Sequence, residues 1–309
     1  MINIWITGAK GFIGRHLATH LGEQGRHISG IGHGHWSKIE AAQWNVAEWL
    51  NGEIDAVNLS ELLNQSGKPD VIYHLAGSSS VGLSFINPLE DFRRTVEATA
   101  RLLDWVRKQS PDAKIILVSS AAVYGAGHQT PIIEECASKP YSPYGGHKAM
   151  MELLSESYVR NFGLNSVVVR LFSVYGDGLS KQLIWDLCSK LSTGNKVTLG
   201  GSGEEVRDWI HVKDVAKLLG LFASDNGWNT PVVNGGSGLG ITVREIAREV
   251  SAQWGGNAQI TFNGESRPGD PTYLVADIHR LDKIGFSSDI MLSTGISSYV
   301  KWYKTYLRR

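Results

Sequence analysis

Eight residues near the start of the chain do most to limit its fold. Thr7-Gly8-Ala9-Lys10-Gly11-Phe12-Ile13-Gly14 joins a short apolar run, Ile2–Ile6, to a helical stretch with Leu17 and Leu21 on one face that ends near Gly25. Glycines at three-residue spacing between a strand and a helix let the backbone turn tightly and let a pyrophosphate approach the helix N-terminus. A glycine-rich βα turn without a ligand is the competing reading, and the position directly after the first strand argues against it.

The alternation continues downstream. Ile28–Ile31, Asp70–Ala76 (DVIYHLA), Lys114–Val118 (KIILV) and Ser166–Arg170 (SVVVR) read as strands. Pro88, after Asn87, opens a helix that runs to Gln109, and Pro143 opens another that runs to about Asn161 and stops at Gly163. Mostly apolar strands alternating with helices mean βαβ units and a parallel sheet covered on both faces. After about residue 172 the rhythm loosens. Thr242-Val-Arg-Glu245 reads as a capping box opening a helix that ends at Gly255–Gly256, with loops at 200–203 and around 268–271. The prediction is an α/β chain. Residues 1–172 form a dinucleotide-type domain, to which a segment of about 207–237 returns. Residues 173–309 form mainly a smaller, discontinuous C-terminal lobe for substrate.

Composition removes other classes. Thirty Lys and Arg cancel thirty Asp and Glu, and no basic block occurs, so there is no electrostatic footprint for nucleic acid or anionic membrane. The two cysteines, Cys136 and Cys188, make neither a disulfide framework nor a cysteine-based zinc site. No apolar run approaches the roughly 18 residues of a membrane span. Met1 leads straight into a strand, so no signal peptide is expected and the chain reads as cytoplasmic.

The end of the second strand reads Gly30-Ile31-Gly32-His33-Gly34-His35, with no acid before Glu40. NAD-binding folds usually place an acid there for the ribose hydroxyls. His33, His35 and Lys38 could instead meet a 2′-phosphate, which favours NADPH; a solvated loop is the alternative. No carboxylate or cysteine accompanies the histidines at ligand spacing, so no metal is expected.

Tyr144-Gly-Gly-His-Lys148 places a tyrosine and a lysine four apart on one helical face. An ammonium beside a phenol lowers the phenol's pKa, and such a tyrosine can move a proton at a carbonyl or alcohol oxygen. Val118-Ser119-Ser120-Ala121-Ala122-Val123-Tyr124-Gly125 follows a buried strand, at the sheet edge where ligands bind in open α/β folds. Ser119 reads as a strand-end cap and Ser120 as the hydroxyl that would share a substrate oxygen with Tyr144.

With TGAKGFIG at 7–14, HLAG at 74–77, SSAAVYG at 119–125, YGGHK at 144–148, RLFSVYG at 170–176, RDWIHVKDV at 207–215 and RPGD at 267–270, the chain resembles the extended short-chain dehydrogenase/reductases of the NAD-dependent epimerase/dehydratase family, which act on nucleotide sugars. The resemblance covers nearly the whole chain. It implies a Rossmann-type doubly wound sheet, a nicotinamide cofactor and a catalytic triad of Ser120, Tyr144 and Lys148. The cofactor would be held by Gly8, Lys10, Gly11, Phe12, Ile13, Gly14, His33, Leu75, Ala76, Tyr144 and Lys148. Substrate would meet Ser80, Ser120, Ser173, Arg207, Arg267 and Asp270, the arginines gripping phosphate oxygens bidentately. Family members often dimerise through helices that here would be 88–109 and 143–161.

Ala121 and Ala122 follow the catalytic hydroxyl, where related 4,6-dehydratases carry acids and GDP-fucose synthases a cysteine. A methyl group cannot transfer a proton, so dehydration is not expected. Reduction of a 4-ketone and 4-epimerisation both remain. The missing acid after the second strand tilts the reading toward an NADPH-dependent reductase of a nucleoside-diphosphate 4-keto-6-deoxyhexose, such as a dTDP-linked one, in deoxysugar, O-antigen or other surface-polysaccharide synthesis. The alternatives are a UDP-hexose 4-epimerase with tightly bound NAD and a non-enzymatic dinucleotide sensor. Asn45, where many relatives have an aspartate near the adenine, is a further departure.

Overall fold

Short β-branched runs and amphipathic helices fold into a doubly wound sheet. The computed structural model describes residues 2–224, 232–265 and 270–308. The chain runs β1 (Asn3–Thr7), α1 (Phe12–Glu23), β2 (His27–Gly32), α2 (Lys38–Ala42), β3 (Glu48–Asn51), α3 (Ala56–Ser66), β4 (Val71–His74), α4 (Val81–Ile86) and α5 (Pro88–Phe92). A π-helical turn over Arg93–Glu97 leads into α6 (Ala98–Gln109), followed by β5 (Lys114–Ser120), α7 (Pro143–Phe162) and β6 (Asn165–Leu171). Then come β7 (Ser173–Tyr175), α8 (Gln182–Thr193), β8 (Lys196–Leu199), β9 (Val206–His211), α9 (Val212–Leu221), β10 (Val232–Gly235), β11 (Gly240–Thr242), α10 (Val243–Trp254), β12 (Gln259–Phe262), β13 (Tyr273–Leu274), α11 (His279–Lys283) and α12 (Leu292–Tyr306).

The main sheet has the order β10-β6-β5-β4-β1-β2-β3, and every pair from β3 through β6 is parallel. Strand order reverses between β1 and β4, and ligands in such sheets bind at the carboxyl ends of the strands flanking that switch. Ile4, Trp5, Ile6, Ile72, Ile115, Ile116 and Leu117 are fully buried, as strands covered on both faces require. Trp5 meets Trp105 of α6 with ring centroids 5.4 Å apart.

Contacts divide the chain into two units. The first comprises Met1–Gly125, Ala137–Leu171 and Val215–Val233. The second comprises Ala126–Cys136, Phe172–Asp214 and Asn234–Arg309. In the second, β9 pairs antiparallel with β11 and parallel with β13 and β7, while β8 and β12 form a parallel pair. Trp185 of α8 packs against Tyr303 and Tyr306 of α12 at 4.8 and 5.4 Å, Tyr303 buried and Tyr306 half exposed. His211 is buried against Tyr175. No helix among the described residues is long and apolar enough to cross a membrane.

Some elements differ from their sequence reading. The 88–109 helix is interrupted by the π turn. The Thr242–Glu245 capping box is present, and a second one at Ser37–Glu40 opens α2. Asn45 adopts φ 59°, a left-handed conformation that asparagine tolerates better than most residues, so it shapes the turn before β3.

Candidate active site

The glycine turn stands at the switch point. Gly8 has φ 75°, and its N–H donates to Ile31 O at 2.7 Å. A Cβ there would lie 3.0 Å from the Ala76 nitrogen, so only glycine lets the turn lie against the end of β4. Gly11 is the N-cap of α1 and supplies no side-chain cap, which leaves first-turn N–H groups for an anion. Phe12 and Ile13 are half-buried in that turn and Gly14 is buried. Lys10 Nζ donates to the His35 carbonyl at 2.5 Å. These features fit a dinucleotide pyrophosphate.

Beneath the turn runs a chain of buried hydrogen bonds. Thr99 Oγ1 donates to Thr95 O at 2.6 Å and therefore accepts from His74 Nε2 at 2.9 Å. His74 Nδ1 then accepts from Thr7 Oγ1 at 2.8 Å, and Thr7 Oγ1 accepts from the Ala76 N–H at 3.1 Å. The partners thus assign His74 as neutral, with its proton on Nε2. Burial, reinforced by Lys148, pulls its pKa down to about 3. Thr95 Oγ1 also accepts from the Ser78 N–H at 3.2 Å, so the π turn helps hold the segment after β4 that carries Leu75 and Ala76.

Ser120, Tyr144 and Lys148 come together within the first unit. Ser142 caps α7 by accepting from Gly145 N at 3.1 Å, and Tyr144 N donates to Ser84 Oγ at 3.1 Å, which fixes the helix start. The Ser120 hydroxyl stands close enough to the Tyr144 phenol to favour its ionised form, and it accepts from the Ala122 N–H at 3.2 Å. Ser119 instead donates to Glu152 at 2.5 Å, and Glu152 is locked to Arg170 at 2.7 Å, so Ser120 is the hydroxyl left for chemistry. Lys148 Nζ donates to Val118 O at 2.8 Å. Burial lowers its pKa to about 8, opposed by Glu152 and Asp91.

One electrostatic expectation is corrected here. Burial holds the Tyr144 phenol above its usual range, the Ser120 bond lowers it, and Asp91 raises it again. The Lys148 ammonium is directed to a backbone carbonyl instead of lowering the phenol as the sequence implied.

Sequence reasoning missed Asp91 and His147. Asp91 Oδ2 lies 2.5 Å from His147 Nδ1, and the two side chains are 2% and 12% exposed. The available signal was an acid among the buried positions of the 88–109 helix and a histidine directly before Lys148.

The remaining candidates are placed as follows. Ser80 caps α4, accepting from Leu83 N at 3.3 Å. Ser173 lies half-buried in β7 and Arg207 half-buried in β9, both in the second unit. Arg207 Nη1 donates to the Val206 carbonyl at 3.0 Å, and burial lowers its pKa against the opposing charges of Asp270 and Glu205. Asp270 is exposed, and Arg267 lies outside the described residues. No cluster of His, Cys, Asp or Glu among the described residues could hold a metal.

The NAD dependent epimerase/dehydratase family matches residues 4–234, and the chain belongs to it. It is an enzyme of that family. The UDP-glucose 4-epimerase of Azospirillum brasilense is 31% identical over 301 residues, covering 90% of this chain and 84% of its own length. The UDP-glucose 4-epimerase of Thermotoga maritima, solved with UDP-glucose, has a TM-score of 0.89 at 27% identity and covers 99% and 100% of the two chains. The UDP-glucuronic acid 4-epimerase of Bacillus cereus, solved with UDP-glucuronic acid and NAD, has a TM-score of 0.88 at 27% identity over the same shares.

These findings overturn two expectations. The relatives are 4-epimerases, so 4-keto reduction is not supported and the epimerase alternative is. The similar solved structures that name a nicotinamide cofactor hold NAD, so the preference for NADPH fails as well. The reason lies after β2. His33 faces Glu53 at 3.6 Å and Lys38 faces Glu48 at 4.0 Å. The cations assigned to a 2′-phosphate stand beside carboxylates that would repel one. An acid does reach the end of β2: Glu53, from the loop after β3, stands beside His33.

Proposed function

We propose that this enzyme is a UDP-sugar 4-epimerase that keeps NAD bound and works in the cytoplasm as a homodimer. The observation that carries the reading is the Ser120 hydroxyl beside the Tyr144 phenol, with Lys148 one helical turn on and Ala121 and Ala122 in the turn after Ser120. This set can pass a proton to and from one sugar oxygen, and it supplies no second acid or base for dehydration. The relatives named as 4-epimerases support the same choice.

Bound NAD supplies reversible two-electron oxidation at sugar C4. Gly8, Gly11 and Gly14 would hold its pyrophosphate, Lys10, Phe12, Ile13, His33, Leu75 and Ala76 would line its site, and Lys148 would hold the nicotinamide ribose. Ser120 orients the C4 oxygen. Tyr144 accepts the hydroxyl proton as C4 is oxidised to the ketone and returns it as C4 is reduced from the other face. Ser80, Ser173, Arg207, Arg267 and Asp270 are assigned to the UDP-sugar. The free cysteines Cys136 and Cys188 suit a reducing compartment.

Incubating the purified protein with UDP-glucose, UDP-galactose or UDP-glucuronate, without added reductant, and following the sugar by NMR tests this. The expected result is the C4 epimer, with at least a hundredfold loss in Tyr144→Phe. Absence of any epimer, or full activity in Tyr144→Phe, would refute it.

A further inference from the structure

A buried acid lies beside the catalytic helix and has no part in the proton path just described. Asp91 follows Pro88 in α5, and its side chain is 2% exposed. One oxygen meets His147 Nδ1 at 2.5 Å, while the other, Oδ1, is buried and makes no hydrogen bond. A carboxylate in such a place persists only if nearby positive charge compensates it. His147 precedes Lys148 directly and sits three residues after Tyr144, with its ring 5.6 Å from that of Phe92.

We propose that Asp91 and His147 form a positioning pair for Tyr144 and Lys148. The carboxylate holds the lysine as an ammonium and strengthens the Tyr144 phenolate as a base for the sugar proton, and His147 limits how much of that negative charge reaches them. The proposal rests on the assignment of Tyr144 and Lys148 as the proton-handling couple.

The surroundings isolate the pair. From α7, the titratable groups facing Asp91 are Tyr144, His147 and Lys148, with Glu152 acting on Lys148. From the π turn, Arg93 and Arg94 are exposed, Arg94 is bound by Glu90 at 2.6 Å, and Glu97 is bound to Arg101 at 2.5 Å. Helix α4 carries no titratable side chain. The charge of Asp91 acts on both Tyr144 and Lys148, raising the proton affinity of each.

Two substitutions separate this role from a structural one. Asp91→Asn keeps the shape and removes the charge, so the phenolate forms at lower pH, by about one unit. His147→Gln leaves the carboxylate bare, so the phenolate forms at higher pH. A contact that only stabilised the fold would change the melting temperature without moving Tyr144 in opposite directions.

The experiment is an alkaline titration of near-ultraviolet phenolate absorbance on the full chain, with the Tyr144→Phe trace subtracted. Wild type, Asp91→Asn and His147→Gln are compared after thermal melts establish folding. Opposite displacements support the pair. An unmoved Tyr144 in Asp91→Asn, or displacement of both variants the same way, overturns it. Should Asp91→Asn fail to fold, His147→Gln decides alone: an upward shift supports the proposal, and no shift or a downward one refutes it. The readout needs no sugar turnover, so failure of the epimerase reading appears separately, as a wild type that produces no epimer at any pH.

Discussion

His74 shows how one buried side chain ties folding to the cofactor turn. It is neutral, fully enclosed, and bonded to Thr7 and Thr99 on both nitrogens. An unfolded histidine takes a proton near 6.5, whereas this one resists until about 3. Between those values the unfolded chain binds more protons, so stability falls as pH falls through that window, by up to about 1.4 kcal/mol per pH unit. Urea denaturation at pH 7 and pH 5 should show this loss in wild type and a smaller loss in His74→Gln; equal losses would contradict the account. The Ser119–Ser120 choice also belongs at this scale. The serines are adjacent in sequence, and only the Glu152–Arg170 pair, which joins α7 to β6, reveals which hydroxyl is already engaged. The motif supplied the tyrosine, lysine and serine, while Asp91 and His147 stayed unread because a buried contact between distant segments leaves no periodic mark.

At the scale of elements, α5 and α7 pack together and still leave large apolar side chains in water. Leu89 is 62% exposed, Leu153 64% and Met150 47%. Such a surface calls for a partner, and a second copy of the same two helices is self-complementary under twofold symmetry. Leu153→Glu should shift the protein from dimer to monomer in sedimentation equilibrium; an unchanged mass, or a monomeric wild type, would contradict this interface. The strands of the main sheet were legible because double-sided burial demands unbroken apolar runs. β3 was not, since EWLN has neither alternation nor a continuous apolar run. The π turn was hidden for a related reason: one widened turn barely disturbs the helical spacing from Pro88 to Gln109, yet it is where Thr95 reaches Ser78.

For the whole molecule, the family and the fold could be read from motifs in order along the chain, and the direction of the chemistry could not. Reductase and epimerase share the same triad, and they differ in whether the cofactor leaves after each turnover. The acid missing from the end of β2 points to the reductase only until the fold is seen, for Glu53, beyond β3, stands next to His33. The sequence lists the two residues twenty positions apart, and only the parallel pairing of β2 with β3 brings their ends together. The central claim is that a sugar C4 centre is oxidised and rereduced on one enzyme, with Tyr144 handling only the proton. UDP-glucose deuterated at C4, turned over in ordinary water without added cofactor, tests it most directly: UDP-galactose that keeps its deuterium at C4 is the predicted product, and loss of the label to solvent during epimerisation would contradict the claim.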